Sequence, residues 1–573
     1  MRKSSTFIQL AIVGGGPMGL LLIQRLLDHF EGNLSIDVFE REATVGAGMP
    51  YSQLGAADEH IANVSANELP AVLRSIETWV NKQEKTMLDR FSVSAEEFNA
   101  YKALPRLFLG SYLSDEFARL AHRCAAKGFD IKIHYQCEVI DIIDLPASSS
   151  VTIVHTNGRT IVDKAIICSG HFWPKHNEGR VEGYFDSPYP PAKLNGKNNY
   201  AIAIRGASLT AIDAVRTLAR NNGYFYETTA GSIAYRRNPD SEEFRLVMHA
   251  RNGLLPAVRF HLEDAQLGRG ELLSMEEIEQ IKSENEGFIP LDYLYEHVFL
   301  DRINKYGSAM KDTVNALTME EFVEKMMEYR EDIDPFELLE QEYREAARSI
   351  RNRTSIYWKE MLAVLSYTMN YPAKYFSAED MLRLQKTLKP LISIVIAFVP
   401  QQSVEELLAL HQAGVLSLQE VGEESKVEPL ETGGVRYHYT DQSGQQVSDR
   451  YTMFVDCVGQ PMLSMSDLPF ESLKKSETVA PAMVKFRSQL NGAEAYANGI
   501  KGVGKGQDGN FYMQLPGLAI NDYFQLTDVY GRVNERLYML AVPFIGGFNP
   551  DYSGLDFTEE ASMRVVEALG MQI

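Results

Sequence analysis

Three glycines near the start of the chain, Gly14, Gly16 and Gly19, are spaced as G-x-G-x-x-G, and the acid Glu40 follows them. This spacing suits a backbone turn that binds a pyrophosphate. The first glycine allows the tight turn, the second lets the backbone approach the phosphates, and the third lets a helix pack on a strand. A strand-end acid accepts hydrogen bonds from a ribose diol. We therefore predict a dinucleotide site here, to which Pro17, Met18 and Arg41 also contribute.

The segments around this pattern supply the elements that position it. AIVGGGPMGLLLIQRLL (Ala11–Leu27) contains an apolar strand, the glycine turn and an apolar-periodic helix, and the next strand, SIDVFE, ends on Glu40. The free N–H groups and the positive dipole end of the helix then face the bound anion. A strand, a helix and an acid in this order turn a weak glycine pattern into a specific prediction.

A second turn of this kind lies in the middle of the chain. In NNYAIAIRGASLTAIDAVRTLARN the strand YAIAI leads into Gly206, and the later glycines are replaced by small residues such as Ser208. An amphipathic helix follows, so the unit repeats the order strand, turn, helix. We predict a second dinucleotide site formed by Gly206, Ser208, Leu209 and Thr210.

The strand after this second turn, FRLVMHARNG, ends on His249 and Arg251 rather than on an acid. An arginine in place of the acid favours a 2′-phosphate, which indicates NADPH rather than NADH. The alternative is that Arg251 is a solvated surface residue. Two further strands, in VDKAIICSGH and YTMFVDCVGQP, stop at glycines that let the backbone approach a cofactor, unless they are ordinary turns. Their predicted contacts are Ser169, Gly170 and Gly459.

The composition narrows the class of function. The 573 residues are 45% apolar and carry 77 acidic against 56 basic side chains, with no basic stripe interleaved with aromatic residues. We therefore expect small-molecule partners and no nucleic acid. The 4 cysteines form no C-x-x-C pair, which fits a reducing cytoplasm. The apolar run Leu391–Val399 is too short for a bilayer, so we expect a cytoplasmic protein without a membrane. No metal-ligand cluster is predicted.

GGGPMG, FERE, CSG, GASLTA and VDCVGQ, in this order, resemble the flavoproteins with two dinucleotide-binding domains. GAGMPYS, HIANVSANELP, PRLFLGSYL and HARNGLLP resemble more narrowly the FAD/NAD(P)-binding family related to N-hydroxylating flavin monooxygenases, including bacterial aspartate N-hydroxylases. The resemblance covers roughly residues 7–259 and 391–569. It implies FAD in the first domain, NADPH in the second, and transfer of one oxygen of O₂ from a flavin C4a-hydroperoxide to an amine of an amino-acid-like molecule.

The same resemblance implies roles for further residues. Met49 and Pro50 pack near the isoalloxazine, and Asn63 is a polar side chain able to hydrogen-bond the ring edge or the reacting peroxide. His60 either takes part in the chemistry or is a structural histidine. Arg106 either clamps a phosphate or substrate anion or is a surface charge at the start of a helix. Further contacts are expected from Val139 beside the adenine and from Asn549, which precedes the final helix near the flavin.

These signals together predict an α/β protein with two Rossmann-like dinucleotide-binding domains. We expect an FAD domain formed by residues 1–197 and 451–573 and an NADPH domain at 198–450, with a helical insertion at about 255–389. The insertion either shapes the substrate site or serves as a structural lid or dimer surface, so a homo-oligomer stays open. The alternatives to a monooxygenase are an FAD-dependent reductase or oxidase without oxygen insertion, and a non-catalytic flavin-binding protein.

Overall fold

The computed structural model describes residues 7–70, 72–263, 273–306, 311–551 and 554–571. Within these ranges the chain forms two large, mainly parallel sheets with helices packed on them, and several small antiparallel sheets. The strands are, in chain order, β1 (Phe7–Val13), β2 (Asn33–Phe39), β3 (Ile61–Ser65), β4 (Ala103–Pro105), β5 (Asp130–His134), β6 (Val139–Leu145), β7 (Ser150–His155), β8 (Gly158–Val162), β9 (Lys164–Ile167), β10 (Tyr184–Phe185), β11 (Ala201–Arg205), β12 (Gly223–Glu227), β13 (Ile233–Arg237), β14 (Arg245–Ala250), β15 (Leu416–Glu420), β16 (Lys426–Pro429), β17 (Val435–Thr440), β18 (Gln446–Tyr451), β19 (Met453–Asp456), β20 (Pro481–Lys485), β21 (Val503–Lys505), β22 (Phe511–Leu518), β23 (Gln525–Thr527) and β24 (Val533–Met539).

The helices precede, follow and connect these strands. None of the helices in the described ranges combines the length and the apolar run needed to cross a bilayer. The α-helices are, in chain order, α1 (Pro17–His29), α2 (Ile76–Val80), α3 (Lys85–Arg90), α4 (Arg106–Lys127), α5 (Leu209–Asn222), α6 (Met275–Glu284), α7 (Leu291–Leu294), α8 (Asp301–Tyr306), α9 (Lys311–Val314), α10 (Met319–Glu331), α11 (Pro335–Asn352), α12 (Tyr357–Thr368), α13 (Ala378–Arg383), α14 (Lys389–Val395), α15 (Gln401–Gln412), α16 (Glu471–Lys474), α17 (Gln489–Ala497) and α18 (Leu555–Met571).

The first sheet is built from both ends of the chain. Its strand order is β23-β24-β9-β1-β2-β5, and only β23 and β24 run antiparallel to each other. The apolar strand β1 lies at the centre, where Val13 pairs with Phe39 on one side and with Ile167 on the other. Because these strands are parallel, their carboxyl ends meet at one edge of the sheet, where ligands bind in such folds.

The second sheet is parallel throughout and has the order β10-β19-β11-β14-β15. Its central strand β11 ends at Arg205, which pairs with His249 and with Asp456. The buried faces of β11 and α5 pack together, as the alternation in YAIAI and the apolar periodicity after it predict. The predicted class, α/β with two Rossmann-like units, is confirmed.

Two strands lie outside the limits predicted for the second domain. β10 comes before residue 198 and β19 comes after residue 450, yet both pair in the second sheet. A two-residue strand such as β10 carries no periodic signal, and β19 continues directly from the hairpin β17–β18. From the strand pairing we propose a second domain at about residues 184–456, inserted between the two parts of the first.

The helical insertion occupies the connection between β14 and β15, and its helices α6–α14 run from Met275 to Val395. It packs on both domains. The ring of Phe336 in α11 stacks on His411 of the second domain, with centroids 3.7 Å apart. Lys374 Nζ contacts Asp522 Oδ1 of the first domain at 2.6 Å. Apolar side chains of α12–α14 are continuous with the core of the first sheet, so the insertion joins the two domains.

A buried ion cluster holds α5 to α15 in the second domain. Glu406 accepts hydrogen bonds from Arg216 Nε and Arg220 Nη2, both at 2.8 Å. The side chains of Arg216 and Glu406 are only 1% and 5% exposed. Burial by itself raises the pKa of Glu406, but the two guanidinium groups outweigh it and lower the pKa to about 2.

We expect Glu406→Gln to lower the free energy of unfolding by about 3 kcal/mol at pH 7, because it leaves the buried guanidinium of Arg216 and the partly buried guanidinium of Arg220 without their acid. The pKa of Glu406 is about 2, against an ordinary value of 4.5. The stabilisation is therefore complete above pH 4.5 and is lost as the pH falls toward 2. Urea unfolding at several pH values measures this. Glu340→Gln, which removes an exposed pair with Arg344, is the control and should change stability little. A pH-independent loss in Glu406→Gln would contradict the explanation.

Candidate cofactor-binding site

A cavity of about 1540 Å³ opens at the carboxyl edges of both large sheets. It is lined by most of the residues predicted to bind a cofactor, and the helical insertion closes part of its wall. The predicted residues on the wall are Gly14, Gly16, Pro17, Met18, Glu40, Arg41, Met49, Pro50, Asn63, Arg106, Val139, Ser169, Gly170, Ser208, Leu209 and Thr210.

The turn between β1 and α1 has the geometry that its glycines predict. Gly14 has a φ of +110°, and a Cβ there would lie 2.4 Å from the carbonyl oxygen of Cys168. A Cβ on Gly19 would lie 2.7 Å from the carbonyl oxygen of Gly14. Gly16 immediately precedes α1, and Pro17 occupies its first position, where its fixed φ suits the helix. The turn and the helix N-terminus therefore face the cavity with their backbone.

Glu40 lies directly under this turn. Its Oε2 accepts a hydrogen bond from Gly15 N at 2.9 Å, and its Oε1 accepts one from Glu42 N at 2.9 Å. The side chain is mostly buried but reaches the cavity wall. The acid predicted to bind a ribose thus also orients the glycine turn. Arg41, beside it, is half-exposed and forms an ion pair with Glu42 at 3.4 Å.

The second turn repeats the hydrogen bonds of the first. Gly206 also has a φ of +110°, and its N–H donates to His249 O at 2.8 Å, as Gly14 N does to Phe39 O at 2.9 Å. A Cβ on Gly206 would lie 2.7 Å from the carbonyl oxygen of Cys457. Both turns therefore pack against the carbonyl of a cysteine that follows a neighbouring strand.

This equivalence aligns the residues that follow the second strand of each unit. Glu40 comes directly after Phe39, and Ala250 comes directly after His249. Ala250 therefore stands where the first unit has its acid, and Arg251 stands where it has Arg41. Arg251 is exposed and does not line the cavity, and in the described ranges its guanidinium forms no ion pair.

Asn63 lies on β3 with its side chain exposed to the cavity. Its carbonyl oxygen accepts a hydrogen bond from Arg259, which also donates to Ser65 Oγ at 2.9 Å and forms an ion pair with Glu68. The strand is therefore held through its backbone, which leaves the Asn63 amide available to a ligand. Met49 and Pro50 form a neighbouring part of the wall.

Arg106 reaches the cavity wall in an ion pair that connects the two domains. It begins α4 and contacts Asp213 of α5, and Tyr189 Oη donates to the same carboxylate at 2.8 Å. Burial favours the neutral guanidine, but Asp213 and Tyr189 outweigh it and raise the pKa of Arg106 above its ordinary value. The charge of Arg106 is therefore compensated by Asp213 before any anion binds.

His60 is buried and lies outside the cavity wall. Its Nδ1 is 3.1 Å from Ala57 N, and its Nε2 is 3.0 Å from Thr217 Oγ1 and 3.2 Å from Asp213 O. Burial lowers the pKa of His60, with opposing contributions from the charges around it. A neutral imidazole fixed on both nitrogens corresponds to the structural alternative considered for this residue.

Four other predicted residues do not line the cavity, and two of them, Gly19 and Gly206, act through the backbone of the turns. Gly459 has a φ of +92°, and its carbonyl oxygen accepts a hydrogen bond from Trp173 Nε1 at 2.9 Å. Asn549 is fully buried, and its Nδ2 donates to Ile545 O at 3.3 Å. Its position fixes the loop that leads to α18 rather than contacting the cavity.

The cavity also contains polar residues that the sequence does not single out. Tyr189 and Asp213 are on its wall, as are Ser366 and Lys389 of the insertion and Asp551 of the loop before α18. The sequence could have indicated Asp213, because this residue lies on α5 about one helical turn after the second glycine turn and faces the cavity. Lys389 and Asp551 carry no such signal because they are far apart in the sequence.

The cysteines offer no accessible thiol. Cys124, Cys137, Cys168 and Cys457 are all free and buried. Burial raises the pKa of Cys168, which lies on the cavity wall, far above its usual range. In the described ranges there is also no group of three or more His, Cys, Asp or Glu side chains arranged to hold a metal ion.

Comparison with known proteins identifies two segments. Residues 11–172 match the FAD-NAD(P)-binding family, and residues 274–396 match the YdhS-like middle domain. Residues 11–172 therefore form an FAD-NAD(P)-binding domain, whose cofactors are FAD and NAD(P). The predicted resemblance to FAD/NAD(P)-binding flavoproteins and the predicted cofactor class are confirmed. The second segment corresponds to the helical insertion.

The proteins that match most of the chain have low sequence identity to it. The chain is 28% identical over 479 residues to the uncharacterized protein YdhS of Escherichia coli (strain K12), which covers 82% of this chain and 86% of that protein. The ornithine N-hydroxylase of Kutzneria sp. 744 superimposes with a TM-score of 0.47 and 13% identity over 99% of this chain and 100% of that one. L-lysine 6-monooxygenase from Pseudomonas syringae gives a TM-score of 0.44 and 12% identity, with the same coverage of 99% and 100%.

We expect Gly16→Val to abolish retention of FAD. Gly16 lines the cavity, and a Cβ there would already lie 3.2 Å from Cα of Gly48, so a valine side chain would crowd the turn at which we predict the pyrophosphate to bind. The FAD content per chain after gel filtration, measured by absorbance, checks this. Gly196→Val is the control, since a Cβ there meets nothing within 4 Å, and it should stay yellow. A Gly16→Val protein with full FAD occupancy would refute the assignment of this turn.

Proposed function

We propose that this protein is an FAD-dependent, NADPH-using monooxygenase that hydroxylates an amine of an amino-acid-like small molecule. The observation that carries the proposal is that both glycine turns border one cavity, together with Asn63 and the insertion. A nicotinamide held by the second turn can therefore approach a flavin held by the first. The wall that remains is free to select a substrate.

The proposed reaction balances as R–NH₂ + O₂ + NADPH + H⁺ → R–NHOH + NADP⁺ + H₂O. FAD, when bound and reduced, would provide the chemistry that reacts with O₂. The chain provides binding, orientation and exclusion of water. Exclusion of water is the task of the insertion, whose side chains Met369, Leu384 and Ile392 form an apolar part of the wall. Asn63 supplies a neutral hydrogen-bond donor that cannot act as an acid.

A thiol-dependent reductase is disfavoured by the buried cysteines. Reactive cysteines are accessible and have a lowered pKa, whereas burial raises the pKa of Cys168 and of Cys457. An oxidase and a non-catalytic flavoprotein differ from the proposed enzyme in their products. The test is to incubate the FAD-loaded protein with NADPH, O₂ and a panel of amino acids and amines. Hydroxylamine product equal to NADPH consumed supports a monooxygenase, and hydrogen peroxide alone supports an oxidase.

The preference for NADPH is proposed from the residues at the end of β14. In the second unit Ala250 stands in place of the acid of the first, and the exposed Arg251 follows it. We expect Arg251→Ala to weaken apparent NADPH affinity about ten- to a hundredfold and to leave NADH nearly unchanged. Steady-state kinetics with both cofactors measures the effect.

Arg245→Ala is the matched control for Arg251, because Arg245 is exposed at the opposite end of the same strand. It should leave the use of both cofactors unchanged. Equal weakening of NADPH and NADH in Arg251→Ala would mean that this arginine does not read the 2′-phosphate, and equal use of both by the unaltered protein would remove the proposed preference.

We expect Asn63→Ala to keep FAD content and the rate of flavin reduction by NADPH but to divert electrons to hydrogen peroxide. The reason is that the cavity loses the neutral donor that we propose to hold the reacting oxygen. The ratio of hydroxylated product to NADPH consumed measures the change. Asn81→Ala, at the exposed end of α2, should keep the original ratio. An unchanged ratio in Asn63→Ala would contradict the role assigned to this side chain.

A further inference from the structure

Two opposite charges face the cavity from elements that are distant in the sequence. Lys389 begins α14, directly after a π-helical turn at Leu384–Leu388, and Asp551 lies in the loop before α18. Both side chains line the cavity wall. The insertion thus contributes the cation, and the returning C-terminal segment contributes the anion.

The backbone at Asp551 is held rigidly by the insertion. Asn370, which is fully buried at the end of α12, accepts a hydrogen bond from Asp551 N at 2.8 Å and donates one to Asp551 O at 2.6 Å. These bonds involve only the main chain of Asp551. The carboxylate is therefore positioned by the fold but not consumed by this contact, and its described side-chain partner is the hydroxyl of Ser366.

The two charges influence each other without touching. Burial lowers the pKa of Lys389, and the charge of Asp551 opposes that shift. Burial raises the pKa of Asp551 to about 6, and Ser366 and Lys389 offset the shift only in part. Within the described ranges neither group forms a direct ion pair, with the other or with any third residue.

The absence of a contacting lysine or arginine distinguishes Asp551 from four buried acids in the described part of the chain. Asp213, Asp522, Glu342 and Glu406 each contact a lysine or an arginine directly, and the pKa of each is lowered. Asp551 and Lys389 are both partly buried, and a partly buried charge without a contacting counter-ion is costly, so its retention calls for a partner that arrives with a ligand. Lys389 on the same wall calls for a ligand with the opposite charge.

We propose that Lys389 and Asp551 form a subsite for a zwitterion, in which Lys389 binds a carboxylate and Asp551 binds an ammonium group of the same small molecule. The subsite rests on the proposed function only in that its occupant would be the oxygen acceptor. Hydrogen bonds between charged groups are stronger than neutral ones, so each contact selects for its ligand charge. A molecule lacking either charge leaves one partly buried group unpaired and binds weakly.

The test uses the full-length protein loaded with FAD. The proteinogenic L-amino acids are titrated while the visible flavin spectrum and the thermal unfolding midpoint are recorded, and each amino acid that binds is compared with its decarboxylated amine and its N-acetyl derivative. We expect at least one amino acid to bind, and both derivatives to bind at least about tenfold more weakly. Lys389→Met should abolish discrimination against the amine, and Asp551→Asn should abolish discrimination against the N-acetyl derivative.

Lys386→Met and Asp332→Asn are the controls, since both residues are exposed and off the cavity wall. They should retain both discriminations. The proposal is overturned if no amino acid binds, or if the Lys389 and Asp551 variants discriminate as the unaltered protein does. An amino acid that binds through this pair but yields no hydroxylated product leaves the subsite standing and refutes the monooxygenase. Hydroxylation that is unaffected by both substitutions refutes the subsite and leaves the monooxygenase standing.

Discussion

Close approach between a glycine and a neighbouring carbonyl underlies the architecture of this protein. At Gly14 and at Gly206 the backbone turns with positive φ against the carbonyl oxygen of Cys168 or Cys457, and any side chain at either glycine would collide with that oxygen. Each contact brings the end of the central strand, the start of the following helix and the end of the adjacent strand to one point. Because each turn lies at the carboxyl edge of its sheet, the two edges can border one cavity.

The insertion determines how that cavity is closed. It interrupts the second domain in the sequence, yet its apolar core is continuous with that of the first sheet, and Asn370 and Lys374 bind segments of the first domain. Motion between the two domains would have to break these contacts or those of α11 with the second domain. The insertion is therefore fixed by contacts with both domains. The part of the cavity wall that it forms is held in place by the same contacts.

Charge compensation separates structural from ligand-binding groups among the cavity residues. Arg106 and Asp213 neutralise each other across the domain boundary, and His60 is fixed as a neutral ring behind them. Lys389 and Asp551 are not neutralised in this way. The same residue types thus have different roles, and the distances between side chains decide which role each one has. Sequence spacing contains no information on such distances when the partners come from different elements.

The sequence by itself determined the two glycine turns, the acid at Glu40, the α/β class and the presence of a helical insertion, because these depend on local periodicity and on the backbone freedom of glycine. It also determined that the strand after the second turn ends on His249 and Arg251 rather than on an acid, whereas the alignment of Ala250 with Glu40 came from the hydrogen bonds of the two turns. Only the tertiary structure decided that β10 and β19 pair in the second sheet, that Asp213 compensates Arg106, and that Lys389 faces the same cavity as Asp551. Those outcomes depend on which segments pack together after long connections. The energy of that packing is distributed over many side chains, so no local sequence pattern predicts it.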